Sequence, residues 1–336
     1  MEKTSHLDPL ATAEPTIFRT RPDLRASVEQ AAARGHARNT IRARNADWKA
    51  FLAWCRKHDV EALPADPATI AAYLTDIACT KATATVVRHG QTIAIAHIGQ
   101  GFPSPLLHGG TARVMDGIKR EKGTRQDGKS PFMDDQFEAA LRALPDTMAG
   151  LRDRALLLFG LTTAMRREEI VAVTVADLRW VEQGVLVTLR RSKTDQKGEG
   201  RCVAVPYVTQ NSNLCPAELL KKWLATSGIQ SGPVFRGLRS NGKIRDRALN
   251  DREVARIVKR AAEAIGLDPD LFGGHSLRAG YVTMARKNGL EWTTIMEQTG
   301  HKQLATVKRY SRYTPEAFSA SRVADAFTKK QPTEKP

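Results

Sequence analysis

The residues able to do chemistry in this sequence gather in four short segments, each pairing fixed cations with a group that can move a proton. TTAMRREEIVAV carries Arg166, Arg167, Glu168 and Glu169. On a helix Arg166 and Glu169 share a face, whereas Arg166 and Arg167 diverge. Alone, such a run is a self-paired solvated face, but the apolar LLLFGLTTAM and IVAV around it hold it against a core. FGGHSLRAGYVTMA places His275 and Arg278 at the head of an apolar helix, with Gly273 and Gly274 permitting a tight entry and Ser276 available as a cap. A guanidinium held against a core stays charged, so it needs a carboxylate or a phosphate.

In EQTGHKQLATVKRYSRYTPEAF, Gly300–His301 starts a short helix, and Tyr310 follows nine residues after His301 beside Lys308, Arg309 and Arg312. From its neighbours this tyrosine reads as a surface residue, a core contact with its hydroxyl outward, or a nucleophile beside a phosphate. The fourth segment, RRSKTDQKGEGR, is a basic turn with Arg190, Arg191, Lys193, Lys197 and Arg201. It reads either as a solvated loop or as a cation-bearing finger for a DNA groove.

The elements that must position these groups fall into two parts. Residues 1–22 contain Pro9, Pro15 and Pro22 and read as a loose lead. A helical section over 23–122 follows. From Thr40, apolar Ile41, Trp48, Phe51, Leu52 and Cys55 recur at helical spacing. Asp66 and Pro67 then start a helix with Ile70, Tyr73, Leu74 and Ile77 as its buried stripe. A third helix, Thr83 to Ile98, carries Val86, Val87, Ile93, Ile95 and Ile98, and a fourth runs from about Thr111 to Lys122. The charged, glycine-containing stretch over 123–130 is the expected linker. The second part, 131–328, opens with helices and changes period at VLVTL and RCVAVP, which predict two strands of an antiparallel hairpin. Helices resume at CPAELLKKWLATSG, LNDREVARIVKRAAEAIG and HSLRAGYVTMARKNG, and 329–336 reads as a fraying tail.

Composition narrows the partner. The 336 residues hold 52 Lys+Arg against 36 Asp+Glu, a net charge of +16, which points to an anionic partner, nucleic acid first. Residues 1–128 carry 18 cations and 13 acids, and residues 129–336 carry 34 and 23, so surpluses of 5 and 11 put most of the charge in the second part. A basic enzyme without nucleic acid is the bland alternative. No stretch reaches the roughly 20 apolar residues of a membrane span, and the first residues lack a signal-peptide pattern. Cys55, Cys79, Cys202 and Cys215 are scattered, so no local disulfide framework or zinc knot is encoded. A reducing cytoplasm, with association to the nucleoid, is the expected compartment.

Taken in order, Arg…Lys…His-x-x-Arg…Gly-His…Tyr resembles the tyrosine recombinase, or phage integrase, family across roughly residues 38–327. Arg166, with Glu169 as its accompanying acid, matches the family's first arginine. Lys193 matches its hairpin lysine, His275 and Arg278 its His-x-x-Arg box, Gly300–His301 its Gly-His pair and Tyr310 its nucleophile. Ala164 stands where the family often has glycine, which suggests only a subtle packing change. Tyr313 is a decoy by spacing. The resemblance implies a multidomain, mainly α protein: an N-terminal helical, SAM-like core-binding domain and a mixed α+β catalytic domain with a small antiparallel sheet.

It further implies site-specific DNA recombination through a covalent 3′-phosphotyrosyl intermediate, serving integration and excision or dimer resolution. Arg166 and Arg278 would hold the scissile phosphate and Lys193 would protonate the leaving oxygen. His275 would act as base or bond the phosphate network, and His301 would donate to a non-bridging oxygen. Glu169 would orient Arg166 or His275. No metal or other cofactor is called for. Arg38, Arg42, Arg44 and Arg88, with Arg190, Arg191, Lys197 and Arg201, are further DNA-contact candidates; ordinary solvation is the competing account of the first four. The implied partner is double-stranded DNA with paired sites, bound by a homotetramer that is a monomer or weak oligomer when free. The short lead leaves little room for a folded arm-binding domain. A monomeric relaxer of the type IB topoisomerase kind and a non-catalytic DNA-binding module are the rival readings.

Overall fold

Helix-start chemistry accounts for much of the first half of the chain. In the computed structural model, which describes residues 23, 24, 27, 38–124, 128–190, 200–208, 214–239, 241–308 and 310, two compact units divide between Asp127 and Gly128. The first contains α1 (Arg38–Lys57), α2 (Pro67–Ala78), α3 (Thr83–Gly99) and α4 (Gly109–Lys122). Asp66 caps α2 by accepting the Ala68 N–H at 2.7 Å, with Pro67 in the first helical position. Phe51, Cys55, Ile70, Leu74, Val86, Ile93, Met115 and Ile118 form its core.

Two of the expected stripe residues sit differently. Ile77 is only partly buried, with Ala78 taking the inner place. Ile98 is 59% exposed. Burial in α3 runs from Thr83 to His97 and stops there, so Ile98, in the last turn one residue before the helix ends at Gly99, is left outside the packed stretch. His97 can occupy a core position because both ring nitrogens are satisfied: Nδ1 bonds Ile93 O at 2.8 Å and Nε2 accepts the Ala65 N–H at 2.9 Å.

A polar strut ties three helices of this unit together. Buried Asp47 receives both Arg88 Nε and Nη2, at 2.7 and 2.9 Å, and faces His89 Nε2 at 3.0 Å. Tyr73 completes the chain with its hydroxyl 2.7 Å from His89 Nδ1. Burial, then the Arg88 and Lys81 charges, outweigh Asp47 and lower the His89 pKa. Arg88, one of the residues expected to reach DNA, is forked onto a buried carboxylate of its own unit while 47% of its side chain stays exposed.

The second unit is built as α5 (Asp134–Ala143), α6 (Met148–Thr163), α7 (Arg167–Ala172), β1 (Leu178–Val181), β2 (Gly184–Leu189), β3 (Arg201–Pro206), α8 (Pro216–Ser227), β4 (Arg236–Leu238), β5 (Ile244–Ala248), α9 (Asp251–Glu263), α10 (Gly274–Lys287), α11 (Trp292–Thr299) and α12 (Leu304–Lys308). The strands form an antiparallel β1-β2-β3 sheet and a separate β4-β5 ribbon, the latter not anticipated from the sequence. Val187 pairs with both Leu178 and Val203, so the alternating valines of β2 and β3 face one core.

Helix α6 runs through that core: Ala155, Leu156, Leu157 and Phe159 are fully buried. Close approach of α6 to α10 depends on two glycines. A Cβ on Gly160 would lie 2.7 Å from Leu277 Cδ1, and one on Gly280 would lie 2.9 Å from Leu161 Cδ1. This contact sets the head of α10 beside the end of α6, where the charged motifs meet.

Candidate active site

The site is assembled from three chain reversals. Helix α6 ends at Ala164, whose φ of 50° and ψ of 25° are left-handed, and its carbonyl accepts Arg278 Nη1 at 2.6 Å. The departure from glycine expected here to affect packing is instead a backbone matter, since a Cβ in this conformation costs about 1–2 kcal/mol. Arg166 then caps α7. Glu169, three residues on, accepts the Arg166 backbone N–H at 2.9 Å with one oxygen and Arg166 Nη1 at 2.8 Å with the other. One buried carboxylate thus starts the helix and aims the guanidinium; of the two expected partners of Glu169, it is Arg166 that it holds.

The second reversal leads into α10. Gly273 donates its N–H to Ser276 Oγ at 3.0 Å, while the Arg167 side chain packs on Gly274 and pairs with Asp251 at 3.1 Å. Arg278 is 1% exposed. Its Nη2 donates to Thr299 O at 2.6 Å and to His301 Nε2 at 3.0 Å. Burial and then Arg166 bring its pKa down to about 10, against the pull of Glu169 and Tyr310. It remains a cation at neutral pH.

The third reversal is Gly300, left-handed at φ 68°, which closes α11 rather than starting a helix as the sequence suggested. His301 follows, its Nδ1 2.8 Å from Thr299 Oγ1. Since Thr299 Oγ1 donates to Ile295 O at 2.7 Å, and Arg278 donates to Nε2, donor counting places the His301 proton on Nδ1. Burial, then the charges of Arg278, Arg166 and Arg201, push the His301 pKa down to about 3. His275 is also lowered, by burial and then by Arg167, Arg278 and Arg166. The His275 side chain itself is exposed to solvent.

Tyr310 packs beside Val282, Ala285, Ile295 and Val307, with its backbone bonded to Val307 O at 3.0 Å. Its ring lies 5.3 Å from the His301 ring, 6.3 Å from the His275 ring and 5.8 Å from Arg278 Cζ. The structure therefore brings Arg166, Glu169, His275, Arg278, His301 and Tyr310 into one cluster. Lys193, Arg191, Lys197 and Tyr313 lie outside the described residues, as does the side chain of Arg38. Arg42 is exposed and Arg44 half-buried on α1, and Arg190 pairs with Asp177 at 2.8 Å.

Arg201 is the residue whose place differs most from expectation. The sequence groups it with the basic turn, but its side chain enters the cluster: it donates to Gln298 O, lies 3.5 Å from Glu169 Oε2, and packs against Gly300. The signal was available in RCVAVP, where Arg201 shares a strand face with the inward-pointing Val203 and Val205. Burial, then Arg166, lower its pKa against the pull of Glu169.

Three guanidiniums thus surround a single carboxylate. Among the described residues Arg201 Nε and Arg278 Nε are buried without a hydrogen-bond partner, and Arg201 Nη2 meets only the Glu169 carboxylate, as an ion pair at 3.5 Å; buried donors call for an acceptor. The arrangement offers an anion fixed positive forks, with two uncharged imidazoles and a phenol beside them. Among the described residues no group of three or more His, Cys, Asp or Glu side chains could hold a metal ion.

Comparison with known proteins identifies the family. Residues 132–317 match the profile of the phage integrase family. The chain is 41% identical over 278 residues to an integrase/recombinase xerD homolog of Selenomonas ruminantium, spanning 82% of this chain and 81% of that protein. It is 24% identical to the tyrosine recombinase XerC of Thermodesulfovibrio yellowstonii, over 83% and 87% of the two chains. In fold it is similar to the Tn1549 transposon integrase in complex with transposon right end DNA, with a TM-score of 0.61, 14% identity and coverage of 88% and 98%. It is also similar to a lambda integrase dimer bound to a core site, with a TM-score of 0.56, 18% identity and coverage of 85% and 93%. No helix among the described residues is long and apolar enough to cross a membrane. The chain belongs to the phage integrase family and is a tyrosine site-specific recombinase.

Proposed function

We propose that this chain cuts and rejoins duplex DNA at paired sites with Tyr310 as nucleophile. The observation that carries the reading is the meeting of Arg166, Arg278, His275, His301 and Tyr310 around buried, unpartnered guanidinium donors. A scissile phosphate supplies the acceptors those donors lack, and gathers negative charge as the phenol oxygen approaches phosphorus. Arg166 and Arg278 hold its non-bridging oxygens.

The Tyr310 oxygen bonds to phosphorus and the bond to the 5′ oxygen breaks, leaving a 3′-phosphotyrosine. A phenol titrates near 10, so its proton needs a receiver, and His275, whose pKa is lowered by burial and then by the neighbouring arginines, fills that role. Lys193 gives a proton to the departing 5′ oxygen. His301 has its Nδ1 proton committed to Thr299 and Nε2 to Arg278, so donating to the phosphate requires that His301 exchange a partner as DNA enters. The free 5′-hydroxyl of a second duplex then reverses the chemistry onto the new strand. Four protomers on two sites complete the exchange.

The test is covalent trapping on a nicked duplex carrying the bound site mapped by footprinting. Tyr310→Phe should abolish the denaturant-stable protein–DNA adduct while binding persists, and Tyr313→Phe should retain it. An adduct of undiminished yield from Tyr310→Phe would refute the assignment. Relaxation of circular DNA lacking paired sites by a monomer would favour the relaxer instead.

A further inference from the structure

The β4–β5 ribbon has no part in the chemistry above, yet it is the most concentrated positive element described in the second unit. Residues 236–248 read RGLRSNGKIRDRA, with five cations and one acid. The ribbon is well built. Its turn closes through Gly242 N–H to Arg239 O at 3.0 Å and Arg239 N–H to Lys243 O at 2.8 Å, with Gly242 at φ 77°. Both faces of β5 meet solvent from Arg245 to Ala248.

Two of the five cations serve the ribbon itself. Arg236 donates to Pro233 O and Ser231 O. The Arg245 stem lies over Gly237, with Nε 3.4 Å from Leu238 O. Arg239, Lys243 and Arg247 have no side-chain hydrogen bond or ion pair among the described residues.

The root of the ribbon leads to the active site. Leu249 is buried and bonds Phe235 O at 2.8 Å, Asn250 caps α9, and Asp251 pairs with Arg167. Arg167 in turn adjoins Arg166 and packs on Gly274, next to His275. From this root the turn extends by three residues along β4 and five along β5, about 10–16 Å at roughly 3.3 Å per residue. A major groove about 12 Å wide accepts a two-stranded ribbon of this size.

We propose that the β4–β5 hairpin is a second DNA-gripping element, entering the major groove beside the scissile phosphate with Arg239, Lys243 and Arg247 on the flanking phosphates. The inference rests on the DNA-cleaving function proposed above. The competing account is that the charges only ward off edge-to-edge pairing of strands.

Binding of the full chain to a fluorescein-labelled, mixed-sequence duplex of about 40 base pairs, followed across a salt series, separates the two. Replacing Arg239, Lys243 and Arg247 by Gln should weaken binding about tenfold or more, and flatten the log K against log salt slope by about 3, roughly one unit per phosphate contact. Lys221→Gln/Lys222→Gln, on exposed α8 positions, should leave the slope nearly unchanged. An unaltered slope in the ribbon variant, an equal change in the α8 variant, or aggregation with unaltered binding would overturn the proposal. If the parent chain itself failed to bind duplex DNA, the function and the inference would fall together. Circular dichroism melting of the ribbon variant checks that the fold survives these exposed substitutions.

Discussion

Glu169→Gln isolates the one negative charge among three guanidiniums. The carboxylate lies 2.8 Å from Arg166 Nη1 and 3.5 Å from Arg201 Nη2, and is itself only 6% exposed. Gln keeps an acceptor for the helix-starting N–H and removes the charge. At an effective dielectric of about 20 the nearer pair alone is worth roughly 6 kcal/mol. Desolvation offsets much of that, and uncovering a buried charge by deleting its partner costs about 3–5 kcal/mol. Arg166 and Arg201 keep 19% and 18% of their surfaces in solvent, so the lower end applies, about 3 kcal/mol.

For a unit of this size that lowers the melting temperature by roughly 6–12 °C. The assay is thermal melting by calorimetry of the full chain, with and without a duplex. DNA should raise the variant's melting temperature more than the parent's, because a phosphate replaces the lost counter-charge. Removing one of the stranded cations as well, in Glu169→Gln/Arg201→Met, should recover a good part of the loss. A Glu169→Gln protein that melts like the parent and gains no more from DNA would refute the charge-balance reasoning.

Two more outcomes follow from the same geometry. The depressed pKa of His301, near 3 against about 6.5 unfolded, and the lowered values of His275 and His89 make the unfolded chain bind more protons below pH 6.5. Their contribution is therefore full above about pH 6.5 and is lost as pH falls; His301 alone accounts for about 2 kcal/mol between pH 6.5 and 5. Melting temperature measured over that range should fall, less steeply in His301→Asn, and a flat profile in the parent would contradict it. Ala164→Gly should leave activity intact and change stability by about 0–1 kcal/mol in the favourable direction, as relief of the left-handed Cβ outweighs the added freedom of the unfolded chain. Chemical denaturation of the two proteins measures it.

Local order in the sequence determined the elements and the identities of the reactive groups. Asp66–Pro67 marked a helix start and the valines of VLVTL and RCVAVP marked strands, because caps and alternation are set within a few residues; Arg166, His275, His301 and Tyr310 were joined into one set only by the resemblance of their order along the chain to a known family. Tertiary structure decided which charges face one another. Arg88 and Arg201 both read as cations bound for DNA, yet one is forked onto Asp47, forty-one residues away in sequence, and the other lies beside Glu169 and Gly300. Only a fold brings such partners together: a buried carboxylate such as Asp47 needs a cation beside it, and a guanidinium that largely leaves water, as Arg201 does, goes where a distant carboxylate or carbonyl can meet it. Gly300 and Ala164 follow the same division: the sequence reads one as a helix start and the other as a small packing change, and that both are left-handed turns, and which carbonyl and which ring each delivers, depends on α6, α10 and α11 meeting. The β4–β5 ribbon went unread because its strands are short and charged, β4 is only half-buried and β5 is exposed from Arg245 on; without a fully buried face, no alternation of apolar residues announces a strand.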